Sequence, residues 1–352
     1  MRSWAFTATL SLLMQGPAAA RSIPKMSVTP DAPELQMDGG RRLVFERSFS
    51  SEREVKTRRG FWTKLKDAVA GEPEYRSLVR PYSVAQDSRG RIIITDPGAY
   101  GVHVFDFVQQ KYKFLSHGEG ENALLDPQGV AVDKQDNIYV TDSEAGKIFV
   151  FGADGKFQRV IGGLKGGEGF FKRPTGIAVD SDARRIYVSD TWRNQIFVLD
   201  MQGRVLRTIG KLGHAAGDLH FPTELRLRGQ DLVVVDAMNF RVQVFERSGA
   251  FRYAIGRAGD SHGDMFRPKG VGIDSEGHFY VADAFHNLVQ VFDQEGNLLY
   301  YFGKEAGIGD FVLPAGLWVD GSDRILVVDS YHRRVQVFHY FGITMPSVEG
   351  AL

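Results

Sequence analysis

Residues 174–210 read PTGIAVDSDARRIYVSDTWRNQIFVLDMQGRVLRTIG. A Pro turn opens an apolar run, and a turn and a second β-rich run ending in Asp190 follow. Then come a polar loop, a third run, a Gly turn and a short fourth run. Short runs rich in Ile, Val, Tyr and Phe, bounded by Gly, Asp, Asn and Pro, predict four strands joined by three tight turns. The same order restarts at Pro81, Pro127, Pro222, Pro268 and Pro314, giving six copies spaced 46 to 48 residues apart. Such a period marks a repeat architecture in which each unit buries its apolar faces against its neighbours.

The ends of the array predict how it closes. Residues 43–49, Leu-Val-Phe-Glu-Arg-Ser-Phe, look like the fourth strand of a unit, yet no unit precedes them. The sixth unit reaches its third strand at Val335–Phe338 and shows no convincing fourth. The spare strand and the missing strand fit together: residues 41–50 complete the last blade and close a ring, which leaves only short, protected edges.

The pattern Pro-x-Gly-Ile/Val-Ala-Val-Asp, then Ile-Tyr-Val-x-Asp, a loop often holding Asn, and Val-Gln-Val-Phe resembles the NHL repeat of six-bladed β-propellers over residues 81–342. Gly-His and Trp-Asp do not recur from unit to unit as the signatures of WD-type repeats do. The expected fold is all-β: a six-bladed propeller of four-stranded blades, closed by the N-terminal strand, with one short helical insertion before blade one. That helix is expected within residues 51–80, where Phe61, Leu65, Ala68 and Val69 share a stripe and Gly71 can stop it. Two readings of it stand, a cap over the loop face or simple packing on the rim.

Arg2, the apolar segment from Trp4 to Met14 and Ala18-Ala19-Ala20 predict a secretory signal over residues 1–20, and so an exported protein, periplasmic or extracellular. Residues 21–40, with Pro24, Pro30, Pro33, Gly39 and Gly40, read as a flexible tether, and residues 343–352 as a tail. No apolar run within the repeats is long enough for a membrane span. The absence of cysteine excludes disulfides, thiolate metal sites and a Cys nucleophile. Lys plus Arg equals Asp plus Glu at 43 each, so no overall field draws nucleic acid, and none is expected as a partner.

Strictly repeated residues are read as structural. Asp96, Asp142, Asp190, Asp236, Asp283 and Asp329 end the second strands, where a carboxylate accepts N–H groups of the following loop. Asp87, Asp133, Asp180, Asp274 and Asp320 recur at the first turn, a series that Arg228 breaks. Gly129, Gly176, Gly270 and Gly316 stand two after the Pro, where a tight backbone turn is expected. Ala85, Ala131, Ala178 and Gly272 fit a crowded centre.

Function is sought where the repeat departs from its own template. Blade four has Glu224 in place of Gly and Arg226 in place of Ala, near the mouth of the axial channel; a structural ion pair and a ligand contact are both open. Blade six has Trp318 at the Arg226 position. Beyond the second-strand Asp stand Trp192, Arg193, Met238, Phe240, Arg241, Phe285, His286, Tyr331, His332 and Arg333, a composition that suits a recognition surface.

Resemblance to NHL proteins implies an interaction platform, so the expected function is a scaffold whose loop face and channel mouth bind a protein or peptide. The alternative is a metal-dependent enzyme resembling propeller lyases of hydroxyglycine peptides or lactonases, with an axial metal ion. His214, His220, His262, His286 and His332 fall in loops of one face, but no His-x-x-x-His pairing marks a site, and no metal ligand, cofactor or catalytic residue is assigned. No P-loop, Rossmann or Gly-x-Ser-x-Gly motif is present. The oligomeric state is left open.

Overall fold

The structure, a computed structural model, describes residues 33–55, 74–116, 123–164 and 168–342. The expected signal, the start of the tether, the helical insertion and the tail lie outside them. Six antiparallel sheets follow in chain order, and each meanders from an inner strand to an outer one. Blade three, for example, runs Pro174–Asp180, Arg185–Asp190, Gln195–Asp200 and Val205–Ile209.

Blades pack face to face, so each middle strand is apolar on both sides. Ile186 and Val188 look toward blade two, while Tyr187 between them packs against Leu225, Leu232 and Val234 of blade four. The core is divided into six buried clusters, one at each seam between adjacent blades.

Where inner strands of neighbouring blades meet, Gly is required by close approach rather than by a turn. A Cβ on Gly129, Gly176 or Gly270 would stand 2.0–2.2 Å from a backbone oxygen of the next blade, and none of the three has a positive φ. The expectation of a tight turn is corrected accordingly. Hydroxyls one residue before the repeated Asp clip three of these seams: Thr95 to Gln128 O (2.5 Å), Thr141 to Thr175 O (2.7 Å) and Ser189 to Thr223 O (2.6 Å). At the seam between blades four and five, Glu224 and Val235 replace both devices.

The ring closes as the sequence predicts. Arg42–Phe49 pairs antiparallel with the third strand of blade six, Arg334–Phe341, with Phe45 opposite Phe338 and Phe49 opposite Val335. Part of the expected tether adds a fifth strand, because Glu34–Gln36 pairs with Arg42–Val44. A bulge between Phe45 and Arg47 re-aims Glu46. Its carboxylate accepts from Arg324 Nε at 3.1 Å and lies 3.2 Å from His339 Nδ1. Burial acts to raise the Glu46 carboxyl, but His339 and Arg324 outweigh it and hold the group below its ordinary range.

A depressed carboxyl contributes stability that is present above its unfolded pKa of about 4.5 and is lost as pH falls through the folded value. The closure is therefore expected to weaken in acid. In denaturant titrations at neutral pH and in mild acid, Glu46→Gln should lose less stability on acidification than the wild type; equal losses would contradict this.

Candidate functional site

The repeated Asp side chains are fully buried and act as clamps. Each takes N–H groups from the joint that enters its own blade, which the sequence reading placed only in the following loop. Asp96 accepts from Val79 and Arg80 (2.6 and 2.9 Å), Asp190 from Lys172 and Arg173 (2.8 and 3.0 Å), and Asp283 from Phe266 and Arg267 (2.8 and 3.1 Å). The following loop contributes as well, through Ala99, Ala145 and Phe285 N–H to Asp96, Asp142 and Asp283. Backbone bonds such as Thr191 N to Arg173 O (2.9 Å) join the two loop sets, so both lie on one face of the disc.

A buried carboxylate needs countercharge, and several candidate recognition residues supply it. His103 lies 3.3 Å from Asp96 and Arg193 lies 3.5 Å from Asp190. Arg241 Nε donates to Asp236 at 2.9 Å, its Nη2 donates to Ala215 O and Asp218 O, and its Nη1 donates to His214 O. His286 faces Asp283 at 3.0 Å; His332 and Arg334 face Asp329 at 2.9 and 2.8 Å. Arg193, Arg241, His286 and His332 are thus engaged in the clamps rather than presented to a partner. Asp142 has no cation partner among the described residues, and burial pushes its carboxyl up. Phe240 is half-buried against the seam of blades four and five.

Much of what remains on the face is apolar and open. Trp192, Met238, Phe285 and Tyr331 are 48–66% exposed, and Arg333 is exposed beside them. The structure adds side chains that sequence reasoning missed: Tyr100 at the equivalent loop of blade one, and Val79, Leu125, Phe221, Phe266 and Leu313 from the joints, all exposed. Their signal was positional, since Tyr100 lies four residues past a clamp Asp and the others stand one or two residues before an inner-strand Pro. Phe266 and Phe285 pair at 4.1 Å between centroids, and Arg173 covers Trp192 at 5.6 Å.

At the axis, Glu224 and Arg226 are both buried. Arg226 Nη1 donates to Glu224 at 2.5 Å, while Nη2 donates to Leu317 O of blade six (2.7 Å) and Val84 O of blade one (3.3 Å). The guanidinium thus crosses the centre of the ring and stands 5.1 Å from the Trp318 ring, which places Trp318 on the axis too. Burial pushes the Glu224 carboxyl up, and Arg226 counters it. On the far side of this plug is a cavity of about 240 Å³, lined by Ala131, Ala178, Gly272 and Val319 among others.

Comparison with known proteins agrees with this geometry. The 6-bladed β-propeller family matches residues 121–210, and the NHL repeat matches residues 267–292. This chain is a six-bladed β-propeller that carries an NHL repeat. It is 30% identical over 191 residues to Protein brain tumor of Drosophila melanogaster, which covers 54% of this chain and 14% of that much longer protein. Similar solved folds include a gluconolactonase from Xanthomonas campestris (TM-score 0.59, 16% identity, 89% of this chain and 99% of that one). A virginiamycin B lyase from Staphylococcus aureus (0.54, 14%, 76% and 86%) and a chain of a nidogen–laminin complex (0.53, 19%, 70% and 88%) share it as well. At these identities the likeness is one of fold.

In this NHL propeller the axial residues do not fit a metal ion. A cation on the axis would meet the Arg226 guanidinium, and among the described residues no three His, Asp or Glu side chains come together as ligands. The loop histidines are dispersed: His286 and His332 turn to separate Asp clamps, His214 to Asn239 (2.6 Å), and His262 stacks on Tyr301 at 4.0 Å. No helix among the described residues is long and apolar enough to cross a membrane.

Proposed function

We propose that this NHL propeller is an exported protein- or peptide-binding scaffold that docks its partner on the loop face. The observation that supports this best is the ring of large apolar side chains, Tyr100, Trp192, Met238, Phe285 and Tyr331, held open on one face by fully buried Asp clamps. Exposed aromatics on a rigid frame provide contact area at little entropic cost, and contiguous patches of this kind mark interaction sites. The fold's occurrence in a nidogen–laminin complex is a case of a similar propeller within a protein assembly. Export rests on the signal-like residues 1–20.

The test separates surface from core. Substituting Trp192, Phe285 and Tyr331 together by Ala should abolish capture of the partner while changing stability by only about 0.5 kcal/mol per site, as expected of exposed positions. A variant that unfolds would show these side chains to be packing groups, and one that still captures the partner would move the interface elsewhere.

The lyase-like or lactonase-like alternative draws support from similar folds alone, and Arg226 on the axis counts against it.

A further inference from the structure

The residue before each inner-strand Pro reads, from blade one to blade six, Arg80, Asp126, Arg173, Phe221, Arg267 and Leu313. Arginines therefore stand on alternate blades, spaced evenly around the channel mouth on the loop face. A fourth cation joins them. Lys269 of blade five, next after Pro268, extends to the Tyr82 ring of blade one, with Nζ 5.4 Å from its centroid.

Countercharge at the mouth is sparse. Asp126 lies 4.0 Å from Arg80 and is also taken by the Gln128 amide, the exposed Glu144 lines the same groove as Arg80, and Glu224 is committed to Arg226. Arg173 rests over Trp192, and Arg267 is exposed. Burial, and then the neighbouring Arg267 and Arg80, lower the Lys269 ammonium to about 8, as expected where cations crowd without sufficient acid.

We propose that the channel mouth captures an acidic, apolar segment of the partner protein, its carboxylates meeting Arg80, Arg173, Arg267 and Lys269 while its apolar side chains rest on the surrounding ring. This rests on the loop-face reading and names the chemistry of what docks there. Charge complementarity selects an anionic occupant, and Arg forks suit carboxylates. Two observations favour a protein segment over nucleic acid: Lys plus Arg equals Asp plus Glu at 43 each, so no extended field draws a polyanion, and the carboxylates of Asp126 and Glu144 interrupt the cations beside Arg80.

The test uses the full chain and short fluorescent peptides of alternating Glu and Leu, with Gln-for-Glu and Lys-for-Glu counterparts and a single-stranded oligouridine of similar length. The Glu peptide should bind, weaken with salt, and lose roughly tenfold or more in an Arg80→Ser, Arg173→Ser, Arg267→Ser variant. That variant should fold, since the clamps hold these residues by backbone N–H groups; Lys269→Met provides a second, milder check. Equal binding of the Gln peptide, or unchanged binding by the Arg variant, overturns the proposal. If binding in that case is still lost in Trp192→Ala, Phe285→Ala, the loop-face reading survives without it. Binding of oligouridine in preference to the Glu peptide, or no peptide binding at millimolar concentration, also overturns it.

Discussion

Deleting residues 34–49 should leave a chain with no cooperative unfolding transition at 25 °C. The missing strand would take Leu43 from the seam of blades five and six and Phe49 from the seam of blades six and one, both buried to 2% exposure or less. Phe49 packs edge-on against Phe105 and Phe107 of blade one, each at 5.0 Å, so a single side chain bridges the closure. Burying Leu43, Val44 and Phe49 is worth roughly 5–9 kcal/mol together, comparable with the net stability of a whole domain. The deletion would also leave the third strand of blade six as an exposed edge and remove the Glu46 partner of Arg324 and His339. Phe49→Ala alone should cost about 3–5 kcal/mol. Far-UV circular dichroism and limited proteolysis check this; a truncated chain that melts within a few degrees of the intact one would contradict the closure.

Arg226→Ala should destabilise by about 3–5 kcal/mol, the usual cost of removing one partner from a buried ion pair. The loss has two parts, a Glu224 carboxylate left in the channel without its cation and the Leu317 and Val84 carbonyls left without their donor. The double variant Glu224→Gly, Arg226→Ala restores the template of blades two and three, Gly and Ala at those positions, and should recover most of that loss. The pH dependence has a definite sign. Burial already raises the Glu224 carboxyl, and without Arg226 nothing counters it. A carboxyl raised in the folded state favours folding as pH falls from above that value toward the ordinary range. The single variant should therefore be relatively more stable, against wild type, in mild acid than at pH above neutrality. Denaturant midpoints across pH measure this. A flat difference would mean that Glu224 finds another partner.

Much of this was legible in the chain. The Pro spacing and the repeated second-strand Asp suffice for six blades, and the orphan run Leu43–Phe49 suffices for the closure, because strand pattern and edge protection are local or topological constraints. The Glu34–Gln36 strand was not legible, being three residues long with two polar side chains. The role of Gly129 and Gly176 was misread because a turn and a close approach both demand Gly, and only packing distinguishes them. At the site, the Glu224–Arg226 pair follows from i, i+2 spacing on a strand, but the reach of Arg226 to Val84 O crosses 142 residues of sequence and needed the ring. Arg241, His286 and His332 looked available for a partner. Their offsets from the buried Asp, five residues for Arg241 and three for the histidines, are what make them counterions instead.

The claim that the loop face is the working surface is tested most directly by site-specific photo-crosslinking in cells that make the protein. A benzophenone side chain is placed at Phe285 or Tyr331 on that face, at Val108 on the opposite one and at Val205 on the outer strand of blade three. All four positions are exposed, so each reports its surroundings without disturbing the core. The account predicts a discrete adduct of the same partner from Phe285 and Tyr331 and none of it from Val108 or Val205. Adducts of equal yield from all four positions, or from Val108 and Val205 alone, would contradict it.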